Sequence, residues 1–412
     1  MTSPTAVRGH TAMRGWARAD LGGAVLAAAT AILVMRLPGS VMLMAVAPVI
    51  SLAITGLHRP PSTARWLWAF LGCAATSSLI GVFINPSGLS LVNYATLSLT
   101  FTLFAVAVLF SGNAPRVAGL VMTALFWTFG LALLVGLLEM ASGFKLQPVL
   151  YPEATYLRTA GRFIVAAWFP NYNDFAIVVT MFALMVLIRF MFDPGARGLM
   201  QFTRVAAYVV AAGAIGIGGS RGALLGLLAG TALIVVHSVR LARPTLITAL
   251  AVIVGTLTAV LAAVYVWNSP WVQDHSTSLR GEIMANTLKL TPDNSPQFWF
   301  GWGDAARFRD ATTGTFPGIL MDPHNVVLEV FTWFGLPTLV ILIALWAYVC
   351  WRALWRLELR RGWAGAAAAI LFALTPVLGI VPSSTLRYYH LFLIAPCAIA
   401  FLHTPSRTKE GS

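Results

Sequence analysis

Residues 205–238 read VAAYVVAAGAIGIGGSRGALLGLLAGTALIVVHS, and this stretch decides the fold class. Two apolar runs flank Gly218-Gly219-Ser220-Arg221-Gly222, and only 35 residues separate Arg204 from Arg240. Two complete membrane spans need about 20 residues each. The stretch therefore predicts a helical hairpin whose turn lies slightly below the membrane surface, with Arg221 recessed in that turn.

An arginine in this position is costly unless it lines a wet cavity or meets an anion. Ser220 can cap the helix that follows, so that exposed amide groups and the Arg221 guanidinium point at the same place. This arrangement predicts a phosphate-binding site. The alternative interpretation is an arginine that extends from a helix end to the membrane surface and binds nothing.

The composition fixes the class of protein. Hydrophobic residues make up 58% of the 412 residues and charged residues only 10%, whereas soluble domains contain about 25% charged residues. The chain is therefore predicted to be an all-α polytopic membrane protein. Its net charge of +13 is read as a topology signal, because no basic run is long enough to form a nucleic-acid patch. Cys73, Cys350 and Cys397 lie in apolar runs without metal-ligand spacing, which favours buried thiols.

Apolar windows predict about twelve transmembrane helices. They cover 21–37, 39–57, 66–84, 91–111, 117–140, 173–192, 205–219, 222–238, 244–267, 324–351, 364–381 and 386–402. An even number of spans puts both termini on one side of the membrane. With both termini in the cytoplasm, 17 of the 27 Lys and Arg residues are cytoplasmic, and this excess of basic residues predicts that orientation.

The topology divides the chain into five segments. They are a cytoplasmic segment at 1–20, spans one to nine at 21–267 with an outer loop at 141–163, a large extracytoplasmic loop at 268–323, spans ten to twelve at 324–402, and a cytoplasmic tail at 403–412. The large loop contains Trp271, Phe298, Trp299, Phe300, Trp302 and Phe308. So many aromatic residues argue against disorder and predict a small helical cap, with Gly301-Trp302-Gly303 as a tight turn inside it.

The loop ends in Asp322-Pro323-His324-Asn325, directly before an apolar span. Asp322 is predicted to be the helix N-cap and Pro323 the first helical residue. His324 would then lie in the first helical turn, where the helix N-terminus and nearby arginines depress the pKa of the imidazole and keep it able to accept a proton. A structural histidine at the membrane surface is the alternative.

Other polar residues lie near the predicted outer surface. Arg280, considered alone, is an ordinary solvated arginine. Asn171, Asn173 and Asp174 open the sixth span, where helix capping accounts for one or two of them and a carbohydrate or phosphate contact for the rest. Further polar residues in or beside apolar spans are Glu139, Glu329, Arg387 and His390. An interhelical hydrogen bond or ion pair is the favoured interpretation of Glu329, and the role of Arg387 is open.

In chain order, a set of short motifs resembles the O-antigen ligase and polymerase family. The motifs are Gly161-Arg162, Asn171–Asp174, Ser220-Arg221-Gly222-Ala223-Leu224-Leu225, Arg280, Pro296 with Gly301-Trp302-Gly303 and Phe308, and His324-Asn325 with Leu328 and Gly335. The resemblance covers roughly residues 160–350. It implies a GT-C-like glycosyltransferase of the plasma membrane, which moves a glycan from a polyprenyl diphosphate carrier to an acceptor without metal or nucleotide.

By this resemblance, Arg221 and Arg280 match the arginines that hold the donor diphosphate, and His324 matches the proposed catalytic base. Further candidates for substrate contact are Arg162, Asn171, Asn173, Asn325 and Arg387. No cofactor and no metal are expected. The expected partners are the lipid-linked glycan donor, a glycan or lipid-glycan acceptor hydroxyl and the bilayer, with no nucleic acid, and the site is expected on the extracytoplasmic face.

Three alternatives remain at this stage. A polysaccharide polymerase uses the same donor chemistry and differs only in the acceptor. A flippase or transporter of anionic lipid-linked glycans also needs cationic groups in an outer cavity, but it predicts paired broken helices. A non-catalytic scaffold for envelope assembly does not account for the polar groups at the outer helix ends.

Overall fold

A computed structural model describes residues 4–84, 99–150, 165–193, 198–218, 220–242, 275–303, 305–316, 323–356, 362–380 and 390–402. Within these ranges the regular elements are helices and no strand is present. The helices are α1 Pro4–Val34, α2 Ser40–Thr55, a 3-10 turn at Ser62–Ala64, α3 Arg65–Ile84, α4 Thr100–Leu109, α5 Ala114–Ser142, α6 Gln147–Leu150, α7 Tyr172–Phe192, α8 Leu199–Gly218, α9 Arg221–Ala242, α10 His275–Lys289, α11 Pro296–Phe300, α12 Ala305–Thr315, α13 Val326–Cys350 continued by a π-helical turn at Trp351–Trp355, α14 Trp363–Ala373, α15 Thr375–Leu378 and α16 His390–Leu402.

Six helical segments in the described residues are long and apolar enough to cross a membrane. They are Ala17–Val34, Ala114–Ser142, Tyr172–Phe192, Leu199–Gly218, Arg221–Ser238 and Val326–Trp355. Shorter apolar helices occupy Ser40–Thr55, Thr100–Leu109, Trp363–Ala373 and Leu391–Leu402. The prediction of an all-α polytopic membrane protein is therefore confirmed. The predicted span at 244–267 lies outside the described residues, and the total of twelve stays a prediction.

Local sequence explains where the long helices begin and end. The Asn113 side chain accepts a hydrogen bond from the Arg116 amide and caps α5, and Gly143 ends that helix in a left-handed conformation. Asn171 caps α7 in the same way, through a bond from the Asp174 amide at 3.0 Å. Polar or flexible residues at each end thus limit the apolar run between them.

The start of α13 differs from the sequence prediction. Asn325 is the N-cap, and its Oδ1 accepts from the Val327 amide at 2.9 Å and the Leu328 amide at 3.4 Å. Pro323 and His324 precede the helix, and His324 has a φ of 52°. The prediction of Asp322 as the cap and Pro323 as the first helical residue was therefore wrong. Asparagine caps as well as aspartate does, and this one satisfies two amides.

α13 is interrupted at its tenth residue. Gly335 has φ 79° and ψ 174°, and Pro337 follows it. A proline cannot donate a backbone hydrogen bond, and its ring disfavours helical geometry in the residue before it. The carbonyls around the break are therefore available to partners outside the helix.

The packing around α7 sets the position of the site. Within its apolar span α7 is 72% buried, whereas α8 is only 17% buried. Because α5, α8, α9 and α14 all pack against α7, this helix is central, and α8 lies on the outside of the bundle.

Candidate functional site

The hairpin predicted around Arg221 is present. α8 ends at Gly218, and Arg221 is the first residue of α9 and half-buried. Ser220 is buried, and its hydroxyl donates to Oδ1 of Asn173 at 3.2 Å. This bond joins the start of α9 to the start of α7.

The two N-termini therefore lie side by side. Farther along, the Thr180 hydroxyl of α7 donates to the Ala223 carbonyl of α9 at 3.4 Å, so the helices remain paired beyond their first turns. Each helix N-terminus carries unpaired amides and about half a positive charge. Two adjacent N-termini, with Arg221 as the first residue of α9, favour an anion at this place.

Arg280 comes to the same region from the long segment between α9 and α13. It lies on α10, is half-buried, and donates from one guanidinium nitrogen to the Ile380 carbonyl at 3.3 Å. Burial lowers the pKa of Arg280, Tyr172 acts in the opposite direction, and the charge of Arg221 lowers the pKa further. Arginine nevertheless stays charged in proteins. Two guanidinium groups within electrostatic range of each other, beside two helix N-termini, concentrate positive charge here.

His324 is connected to this region through the residues that follow α15. Ile380, the acceptor for Arg280, follows Gly379, which packs directly against Val326 at the start of α13. His324 lies two residues before Val326, is buried, and has a left-handed backbone. Such a backbone is uncommon for residues other than glycine, and conformations of this kind cluster at functional sites. The structure thus brings His324 to the end of the bundle where Arg280 and Arg221 lie.

The other predicted contact residues have mixed outcomes. The side-chain oxygens of Asn171 and Asn325 cap α7 and α13, and that of Asn173 accepts from Ser220. These three residues therefore stabilise the helix starts of the site. Arg162 and Arg387 lie outside the described residues, and His390 is the first residue of α16.

Glu139 has a role that the sequence did not indicate. It is a buried residue near the end of α5, and its carboxylate accepts from the backbone amides of Leu146 at 2.7 Å, Ala166 at 3.2 Å and Ala167 at 3.0 Å. Ala167 has a φ of 47°. The carboxylate therefore holds a strained segment that leads directly into the start of α7. Its partners are backbone groups, so no side-chain pattern could have identified them.

Gly301-Trp302-Gly303, predicted as a tight turn, has φ values of 70° and 83° at its glycines and makes contacts that the sequence did not indicate. The Trp302 amide donates to the Thr332 carbonyl at 2.7 Å, and the Gly303 amide donates to the Trp333 carbonyl at 2.9 Å. A side chain at Gly301 would collide with the backbone of Trp333 and Phe334. The motif therefore docks into the interruption of α13 and fixes the segment that contains α10 to α12 to this helix.

Comparison with known proteins identifies one family. Residues 206–343 match the family model described as O-antigen ligase. The matched range contains Arg221, Arg280 and His324, and it supports assignment of the chain to the O-antigen ligase and polymerase family that its motifs resemble. No curated protein matches the chain. The match supports a role in glycan transfer during O-antigen or polysaccharide biosynthesis.

Proposed function

We propose that the protein transfers a glycan from a polyprenyl diphosphate carrier, of the undecaprenyl type, to an acceptor hydroxyl on the outer face of the plasma membrane. The observation that carries this proposal is the convergence of Arg221 and Arg280 with the paired N-termini of α7 and α9. Positive charge arranged in this way, at the edge of an apolar bundle, fits the diphosphate of a lipid-linked donor.

On the donor side, the bond between the anomeric carbon and the diphosphate oxygen breaks, and the electron pair leaves with that oxygen. The negative charge on the diphosphate grows as the bond breaks. Arg221, Arg280 and the amides at the helix starts stabilise the developing charge more than they stabilise the intact donor. An arginine fork binds phosphate oxygens in a bidentate manner.

On the acceptor side, the hydroxyl oxygen attacks the anomeric carbon and gives its proton to the imidazole of His324. A displacement in one step inverts the anomeric centre. The products are the glycosylated acceptor, the polyprenyl diphosphate and a protonated histidine, which returns its proton to solvent. No residue in this scheme requires a metal ion.

The location on the outer face rests on the distribution of Lys and Arg residues. It is tested with single cysteines introduced into a cysteine-free protein in intact cells. Ser295, the N-cap of α11 in the large loop, is replaced by cysteine. We expect an impermeant maleimide to label this position from outside, whereas labelling only after the cytoplasm is opened would contradict the orientation.

The activity itself is tested with purified protein in nanodiscs, a synthetic polyprenyl diphosphate glycan and a lipid-glycan acceptor. Mass spectrometry follows the glycosylated acceptor and the released polyprenyl diphosphate, with and without EDTA. Arg280→Gln should reduce both products equally. Arg204→Gln is the matched control, because Arg204 lies on α8 beside the other end of α7, and this variant should form both products as the wild type does. Release coupled to chain extension of the donor glycan would identify a polymerase. Movement of the intact donor across the bilayer without release would support the flippase alternative and contradict transfer.

A further inference from the structure

A cavity lies away from the site described above. It has a volume of about 690 Å³ and lies between α5, α7 and α8. Most of its lining is apolar, and Phe126, Leu134, Phe182, Val186 and Ala207 form much of its wall. Its size is in the range of ligand-binding cavities in proteins.

The cavity has a basic end. Arg189 and Arg204 line it together with the apolar residues. Arg204 donates to Oδ2 of Asp193 at 2.7 Å and to the Arg189 carbonyl at 2.8 Å. The Arg189 guanidinium lies 4.7 Å from the ring centroid of Phe126 and 4.7 Å from that of Trp363. Among the described residues, two guanidinium groups thus face the single carboxylate of Asp193, which leaves an excess positive charge at this end of the apolar cavity.

This basic end is far from the proposed diphosphate site. Arg189 follows Tyr172 by 17 residues on the same helix, which corresponds to about 26 Å at 1.5 Å per residue. A single diphosphate cannot contact both ends of α7. The anion that fits Arg189 and Arg204 therefore belongs to a different molecule from the one that fits Arg221 and Arg280.

The cavity opens to the side of the bundle. Its lining residues Trp127, Leu134 and Met200 are 65%, 52% and 54% exposed. In a membrane protein such apolar exposure faces lipid chains. A molecule that enters from the side therefore presents a hydrocarbon chain to the apolar wall and its head group to the arginines.

We propose that this cavity binds one anionic phospholipid from the leaflet opposite the diphosphate site. The phosphate lies at Arg189 and Arg204, and one acyl chain lies between α5, α7 and α8. The net positive charge favours an anionic head group over a zwitterionic one, as basic residues at membrane surfaces do. The two aromatic rings hold Arg189 in place by cation–π contacts, so the head group meets a guanidinium that is already ordered.

Native mass spectrometry of the full-length protein in detergent tests the proposal, with phosphatidylglycerol and phosphatidylcholine as the added lipids. We expect the wild type to retain one phosphatidylglycerol in preference to phosphatidylcholine. Arg189→Gln should reduce that preference about fivefold, the effect of one basic residue near an anionic surface. Ala207→Trp should fill the cavity and abolish retention of either lipid.

Val210→Trp is the matched control for the bulky substitution. Val210 lies on α8, is 43% exposed, and does not line the cavity, so this variant should bind lipid as the wild type does. Retention of phosphatidylglycerol by Ala207→Trp at the level of Val210→Trp would overturn the proposal. Displacement of the phospholipid by polyprenyl phosphate, with no effect of Arg189→Gln, would assign the cavity to the donor chain instead. Thermal unfolding verifies that Ala207→Trp is folded. Its lipid retention then tests the proposal even if Arg189→Gln does not fold.

Discussion

Arginines lie beside both ends of α7, but their surroundings differ. At its C-terminal end, Arg204 pairs with Asp193, and Arg189 lies between two aromatic rings. At its N-terminal end, Arg280 meets a backbone carbonyl, and the charges acting on it come from Tyr172 and from a second arginine, Arg221. Among the residues that the structure describes, no carboxylate shifts the pKa of Arg280.

This difference separates the arginines at the C-terminal end of α7, which have partners within the protein, from the arginines that we expect to bind the glycan donor. Arginine near a helix C-terminus is stabilised by the helix dipole, as Arg189 is, whereas arginine at a helix N-terminus is not. Arg221 at the start of α9 therefore lies where both the dipole and Arg280 disfavour a positive charge. An anionic ligand bound there would reverse that balance.

The largest expected effect in this comparison belongs to His324. His324→Ala should retain donor binding and lose transfer by about 10²–10⁴-fold, because a general base typically contributes that much. Transfer by the wild type should also fall on the acid side, since the imidazolium cannot accept a proton. Single-turnover assays and donor titrations measure both quantities. Loss of donor binding in His324→Ala would place the residue with the diphosphate-binding groups.

A smaller effect is expected for Arg221→Lys. Lysine keeps the charge but loses the planar fork that binds phosphate in a bidentate manner. Loss of one charge-assisted hydrogen bond costs about 1.5–3 kcal/mol, so transfer should fall roughly 10–100-fold. The matched variant Arg204→Lys keeps the pair with Asp193 and should transfer normally. Equal activity of the two variants would show that the arginines at the two ends of α7 do not differ in donor binding.

Glu139→Gln should act on donor binding through the backbone. A carboxamide has one acceptor oxygen, so the variant loses at least one of the three bonds to Leu146, Ala166 and Ala167. Each bond to a charged acceptor contributes about 1.5–3 kcal/mol, and we expect the donor KM to rise about tenfold with a smaller change in kcat. Trp346→Phe, which removes a bond to the Ala373 carbonyl, is the control. A loss of thermal stability in Glu139→Gln with unchanged KM would make its role purely structural.

The smallest effect is expected at the C-terminal end of α7. The side chains of Arg204 and Asp193 are 10% and 34% exposed, and a partly exposed pair of this kind contributes about 1 kcal/mol or less. Asp193→Asn should therefore lower the free energy of unfolding slightly and leave transfer unchanged. Denaturation and transfer assays on the same preparation compare the two quantities. If Asp193→Asn reduced transfer as much as Arg221→Lys does, the C-terminal end of α7 would also be needed for transfer, and this prediction would be wrong.

Some helix boundaries were predictable and others were not. The predicted window at 173–192 coincides with α7 because an asparagine cap precedes the apolar run and an aspartate follows it. The start of α13 was misplaced because Asp322 and Asn325 are both good caps three residues apart. Local propensity does not choose between two such residues. In the structure Asn325 satisfies the first amides of α13, and Val326 packs against Gly379.

The sequence by itself determined the class of protein and the residue types at the site. Long apolar runs bounded by Arg, Asn and Gly specify membrane helices because the backbone in lipid must satisfy its own hydrogen bonds. The recessed position of Arg221 stays a prediction, because the two helices beside it, Leu199–Gly218 and Arg221–Ala242, have 20 and 22 residues and are each long enough to cross a membrane. These inferences use only neighbours along the chain.

The tertiary structure alone decided which groups meet. Ser220 reaches Asn173, Arg280 reaches Ile380, and Glu139 reaches the amides before α7. These partners are 47, 100 and 28 residues apart, respectively, and two of the three contacts use backbone groups that every residue possesses. Such contacts depend on how whole helices pack against each other, which side-chain patterns along the chain do not encode.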